Sequence, residues 1–123
     1  MKLHLSQAAG TNAFTAYGER YVAVNGARYA RSLLVLPDRV VADWGPDEFD
    51  ALEPEHLAAL VGIAPEVVLL GTGERLRFPR PEITRALVEA RIGLEVMDVQ
   101  AACRTFNILA AEGRKVAAAL VLA

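Results

Sequence analysis

GLEVMDVQAACRTFNILAAEGRKVAAALVLA, from Gly93 to Ala123, reads as strand, helix and strand with almost no slack between them. Leu94 to Met97 is a short apolar strand that ends on an acid, Asp98. The spacing predicts a helix over 100–112, with Cys103, Phe106 and Ala110 along its buried stripe. Arg104 and Asn107, three residues apart, share one flank, and Thr105 lies a different way round. Gly113 stops the helix, and Val116 to Leu122 forms a second apolar strand. Upstream, Glu66 to Leu70 (EVVLL) is apolar almost throughout, the signature of a strand covered on both faces. Pro81 suits the first position of a helix that carries Ile83, Leu87 and Ala90 on one face, runs to Arg91 and ends at Gly93. The second half thus alternates strand 66–70, helix 81–91, strand 94–97, helix 100–112 and strand 116–122. Such alternation means right-handed βαβ crossovers between parallel strands.

The first forty-five residues follow another rule. Phe14 to Tyr17 and Tyr21 to Val24 are short strands joined at Gly18-Glu19. Asn25-Gly26 follows, a strong hairpin signal because a type I′ turn needs φ > 0 at both central residues. Arg28 to Leu36 is expected to return as one strand, with imperfect alternation and with Leu33 to Leu36 apolar on both faces. Val40 to Trp44 is the next strand, ended by Gly45-Pro46. Asp47 to Glu53 is an acidic connection, and Pro54 opens a helix bearing Leu57, Leu60 and Val61 that Gly62 stops. The expected architecture is one α/β domain over 1–123. An N-terminal antiparallel meander joins a C-terminal βαβαβ unit, and helices cover a mixed sheet.

Apolar residues make up 54% of the 123 and charged residues 23%, an ordinary balance for a globular chain. A chain of this length buries roughly 65–70% of its unfolded surface, enough for a core without covalent staples. With a net charge of −2 and a pI of about 5.7, it has no cationic excess to neutralise a phosphate backbone, so nucleic acid is excluded as a partner. The single cysteine, Cys103, excludes an internal disulfide and a cysteine-cluster metal site and fits a reducing compartment. The opening MKLHLSQAAG lacks the apolar region of a signal peptide. The longest apolar run falls far short of the ~20 residues of a transmembrane helix. The mean hydropathy of +0.27 then reflects an Ala-, Val- and Leu-rich core, and a cytoplasmic location is expected.

In a parallel sheet, ligands favour the crevice beyond the carboxyl ends of the strands. Gly71-Thr72-Gly73 follows strand 66–70 there, and Asp98 stands before the first turn of helix 100–112. Exposed N–H groups in a glycine turn and at a helix start can hold an anion. Asp98 repels one, and would instead orient a hydroxyl or amine or cap the helix. Two readings stay open: a small polar pocket of Gly71, Thr72, Gly73 and Asp98 joined by Arg104, or a sharp turn and a helix cap with no ligand. Asn107 costs helix propensity in mid-helix, so it should bond something specific, either a loop carbonyl or a ligand or partner.

GTGERL is no dinucleotide fingerprint, since the third glycine is missing and the helix starts too late. Cys103 has apolar helical neighbours and reads as an inert thiol. A nucleophile would need a base nearby, and the two histidines, His4 in an N-terminal strand and His56 in the first helix, lie far away in sequence. No HExxH motif is present. No catalytic set, metal site or cofactor is therefore read. Glu112-Gly113-Arg114-Lys115 reads as a helix end with cations near the carbonyl terminus.

LLGTG (Leu69 to Gly73), GLEVMD (Gly93 to Asp98) and AACRTFNILAAEGRKVAAAL (Ala101 to Leu120) together resemble the family catalogued as domain of unknown function 498. YGERYVAVNG and SLLVLPDRVVADW extend the resemblance over nearly the whole chain. That family includes a mitochondrial respiratory complex I assembly factor and a cytosolic mammalian protein associated with adipogenesis. The resemblance implies a three-layer β+α/β/α fold with an added β layer on the mixed sheet. It implies no established catalysis, and protein partners such as respiratory or membrane-complex subunits. The chain departs from the family pattern at Val99, where a Thr is usual, and at Phe106, where a Tyr is usual, so two hydroxyls are missing near the crevice. Two functions are expected to compete: a non-enzymatic protein-binding or assembly module, and a small-molecule or anion site using Thr72, Asp98, Arg104 and Asn107. A homo-oligomer is compatible with either.

Overall fold

The computed structural model describes residues 10–123, so the expected strand carrying His4 lies outside the described residues. Phe14–Gly18 (β1), Tyr21–Val24 (β2) and Ala27–Tyr29 (β3) form a three-stranded antiparallel sheet. Asn25 and Gly26 turn between β2 and β3 with φ of 52° and 86°, the left-handed pair that the hairpin requires. Leu33–Leu36 (β4), Arg39–Ala42 (β5), Val67–Thr72 (β6), Gly93–Met97 (β7) and Val116–Val121 (β8) form a five-stranded sheet in the order β5-β4-β8-β6-β7. β6 runs parallel to both β7 and β8, whereas β4 runs antiparallel to β5 and β8. The mixed sheet expected from a meander joined to two crossovers is present.

The meander is divided differently from expectation. Arg28 to Leu36 is not one strand: β3 ends at Tyr29, β4 begins at Leu33, and the two belong to different sheets. The buried hydroxyl of Ser32 causes the break. It donates to Gly45 O at 2.6 Å and accepts from Gly45 N at 3.2 Å, while Ser32 O accepts from Asp43 N at 3.0 Å. These bonds fasten the crossing point to the loop after β5, so the chain passes from one sheet to the other. β5 itself stops at Ala42 because Asp43 is left-handed, with φ of 54°.

The helices are trimmed as well. Pro54–Ala58 (α1) is short, and a 3-10 turn at Val61–Ile63 continues it to Ala64, whose φ of 54° ends the segment in place of Gly62. Pro81–Glu89 (α2) ends before Arg91, which takes the left-handed position itself. Gly93 is already paired with Val67 in β7. Val99–Ala111 (α3) ends as expected, with Gly113 at φ of 81°.

Strand alternation sorts the core into two halves. Leu33, Val35, Val67, Leu69, Ala118 and Leu120 face α3 and the small sheet, where they meet Phe14, Val22 and Phe106. Leu34, Leu36, Val68, Leu70, Ala117 and Ala119 face the other way onto Leu57 of α1 and Ile83 and Leu87 of α2. The layers are therefore the small sheet with α3, the five-stranded sheet, and α1 with α2. Phe14 and Phe106 meet edge to face at 5.3 Å between ring centroids, an arrangement that contributes about 0.5–1.5 kcal/mol beyond simple burial.

Candidate functional site

The carboxyl ends of β6 and β7 bring four of the expected site residues together. β6 runs two residues further than expected: Gly71 pairs with Met97 and Leu120, and Thr72 pairs with Val121. A Cβ at Gly71 would lie 2.7 Å from Leu120 Cδ2 and 3.3 Å from Val99 Cγ2, so this glycine lets the start of α3 sit against the sheet. Gly73 is left-handed, with φ of 92°, and its carbonyl accepts from Val99 N at 2.9 Å. Asp98 is the N-cap of α3, with Oδ1 accepting from Ala101 N at 2.8 Å. Two of the four N–H groups that a helix start leaves open are thus filled by the chain itself.

Thr72 is completely buried and serves the segment that follows it. Its Oγ1 donates to Arg75 O at 2.8 Å, with Met97 O a second acceptor at 3.3 Å, and accepts from Arg77 N at 3.0 Å. The Arg77 guanidinium folds back onto Thr72 O, at 3.0 Å from Nη2 and 3.3 Å from Nε, and lies 4.7 Å over the Phe49 ring. One hydroxyl and one arginine therefore set the shape of the loop between β6 and α2. That loop displays Leu76 and Phe78, which are 49% and 75% exposed. Arg75 and Arg80 flank the pair and are exposed too.

Arg104 and Asn107 do not join this group. Nine residues of helix, ~13 Å along the axis, separate Asn107 from Asp98. Both reach β1 instead. Arg104 Nη1 donates to Tyr17 OH at 3.2 Å. Asn107 Oδ1 accepts from Phe14 N at 2.8 Å, and its Nδ2 donates to Phe14 O at 2.9 Å. The specific bond expected of Asn107 is a tie to backbone.

Cys103 is fully buried on α3, and burial pushes its thiol from an ordinary 9.0 up to about 12, with Arg104 lowering and Asp98 raising it to lesser degrees. It is not a thiolate near neutral pH, and His56 packs on the opposite side of the sheet with Trp44. Among the described residues, no three His, Cys, Asp or Glu side chains gather as metal ligands would.

The space beside Gly73 is small. Gly73, Val99 and Leu122 border a gap of about 10 Å³, the room of at most one water. Next to it, an open hollow of about 460 Å³ is lined by Tyr17, Gly18, Glu19, Glu74 and Gln100, and Tyr17 ties it to one expected site residue, Arg104. Sequence reasoning missed the Leu76–Phe78 display. The alternation of arginine and apolar residues in RLRFPR, Arg75 to Arg80, was its one visible signal.

Residues 14–121 match the family described as protein of unknown function (DUF498/DUF598). The chain belongs to this family. Among curated relatives of the DUF498/DUF598 chain, the Bos taurus NADH dehydrogenase (ubiquinone) 1 alpha subcomplex assembly factor 3 is 36% identical over 107 residues, covering 85% of this chain and 58% of the bovine protein. The chain spans 63% of the human protein of the same name, so it matches about three-fifths of these relatives' length. Among solved structures, a Bordetella parapertussis protein superposes with a TM-score of 0.86 at 41% identity, covering 95% of this chain and all of that one. A Bordetella pertussis protein, titled a Mth938-like domain, superposes at 0.80 with 35% identity, covering 98% and 91% of the two chains. The three-layer fold expected of the DUF498 family is the one observed.

Proposed function

We propose that this DUF498/DUF598 chain is a non-enzymatic protein-binding module of the assembly-factor kind, docking on subunits of a respiratory or other membrane complex through the loop between β6 and α2. The observation that carries the reading is the loop itself. Phe78 is three-quarters exposed and Leu76 half exposed, on backbone held by Thr72 and Arg77. Aromatic and apolar anchors on a pre-set backbone, rimmed by arginine, are the composition of interface centres. Pre-ordering also lowers the entropic cost of docking. The polar groups expected to make a pocket support the same reading, because Thr72, Asp98 and Asn107 are committed to backbone bonds. The likeness to complex I assembly factors supports the partner class. No helix of the described residues is long and apolar enough to cross a membrane. The lone buried thiol suits a cytoplasmic location.

The test is affinity purification of the full chain beside a Leu76→Ser/Phe78→Ser variant, with bound complex subunits quantified by mass spectrometry. The wild type should retain specific subunits and the variant should lose them at an unchanged melting temperature. Recovery of the bait alone, or equal recovery by both proteins, overturns the reading.

A second reading, small-molecule binding at the carboxyl ends of β6 and β7 near Gly71, Thr72, Gly73 and Asp98, draws on one observation, the 460 Å³ hollow beside Gly73. Glu19 and Glu74 on its walls favour an amine over an anion. A thermal-shift series with polyamines tests it, and a flat response removes it.

A further inference from the structure

At the other end of β6, about 20 Å away by strand rise, a second hollow of about 460 Å³ opens at the amino ends of β6 and β8. Its volume lies in the range of small-molecule sites. Buried Leu36, Pro65 and Ala110 line it together with half-buried Ile63, which gives it an apolar floor. Arg39, the first residue of β5, and Arg114 and Lys115 from the turn between α3 and β8, bring three cations to its walls against one carboxylate, Asp38. This reverses locally the chain's net charge of −2.

The cations sit on fixed backbone. Glu66 N donates to Lys115 O at 2.8 Å, and Glu66 Oε1 accepts from Lys115 N at 3.2 Å. Arg114 Nε lies 3.4 Å from Glu66 Oε2, and it also faces the negative end of the α3 dipole, so its charge is already matched. The side chains of Arg39 and Lys115 form no ion pair among the described residues. Ala64, a non-glycine residue held left-handed at φ of 54°, forms one corner of the wall, and such backbone gathers at ligand sites more than elsewhere. The two unpaired cations reach one hollow from segments more than seventy residues apart, beside an apolar floor, which is the layout of a site for a molecule that is acidic at one end and apolar at the other.

We propose that this hollow binds an anionic amphiphile, its carboxylate or phosphate held by Arg39 and Lys115 and its apolar body lying on Leu36, Ile63 and Pro65. The proposal is independent of the docking loop, which lies at the opposite end of the sheet.

The test is an amide NMR titration of the full chain with octanoate and with octyl phosphate. Octanol and octylammonium are the neutral and cationic controls, and inorganic phosphate is the head group alone. Both anionic amphiphiles should produce saturable shifts at Leu36, Ala64 and Lys115. An Arg39→Glu/Lys115→Glu variant should bind about tenfold more weakly or worse, with the remainder of its spectrum unchanged because both side chains are exposed. A milder Lys115→Gln variant should weaken binding in the same direction. The proposal is overturned by an absence of saturable shifts with both anions, by equal affinity for octanol, by inorganic phosphate binding as tightly as octyl phosphate, or by undiminished affinity in the charge variants.

Discussion

The carboxamide of Asn107 pairs with both backbone polar groups of Phe14, taking its N–H at 2.8 Å and giving to its carbonyl at 2.9 Å. A helix side chain thereby supplies what a neighbouring strand would give to the edge strand β1. All four groups are buried, and the Phe14 and Phe106 rings stack edge to face alongside. This contact fastens the small sheet to α3. Asn107→Leu keeps the size but leaves an N–H and a carbonyl unpaired, at about 1–3 kcal/mol for each orphaned group. A loss of about 2–6 kcal/mol is expected in urea unfolding. A change under about 0.5 kcal/mol would show that Phe14 had found other partners.

Thr72 organises the display loop through one hydroxyl. Thr72→Val preserves shape but strips the bonds to Arg75 O and Arg77 N inside a fully buried position. The expected cost is about 1–3 kcal/mol, concentrated locally. Amide exchange at Arg77 and proteolytic cleavage between Gly73 and Pro81 should both accelerate, while the amides of β4 and β8 keep their protection. Uniform acceleration throughout the chain would refute a local role.

Cys103 carries a pH signature. Burial raises its folded pKa from 9.0 to about 12, so the folded state holds a proton that the unfolded chain begins to release near 9. Its contribution to stability is whole below that pH and is lost between about 9 and 12, at up to about 1.4 kcal/mol per pH unit. Wild type and Cys103→Ala should therefore converge in stability as pH rises through this window, because alanine lacks the titration. Parallel stability curves would mean the thiol is already ionised or exposed in the fold. Slow reaction with a thiol reagent at pH 8, accelerating with urea, follows from the same burial.

Much of the fold is legible in local pattern. The apolar run of β6, the stripe of α3 and the left-handed needs of Asn25-Gly26 and Gly113 each depend on near neighbours, and each is found as read, with β6 shifted to Val67–Thr72. The division of the meander is not legible that way. It turns on Ser32 meeting Gly45, thirteen residues on, and on a buried hydroxyl that sequence presents as an ordinary break in alternation. Helix ends at Ala64 and Arg91 escaped for a related reason, since tertiary packing placed non-glycine residues in left-handed backbone that propensity assigns to glycine.

The candidate site divides along the same line. That Gly71, Thr72, Gly73 and Asp98 would meet at the carboxyl ends of two parallel strands follows from βαβ topology, which the order of elements determines by itself. Sequence also determined the family, the two-sided core and the buried stripe that holds Cys103. Only the tertiary structure decided what the polar groups bond: Asp98 its own helix, Thr72 the loop beyond it, and Asn107 a strand ninety-three residues away. It alone left Leu76 and Phe78 outside the core and brought Arg39 and Lys115 to the walls of one hollow. Periodicity records which side chains are apolar. Exposure and partnership depend on which surfaces the folded chain has already covered, and that is a property of the whole packing.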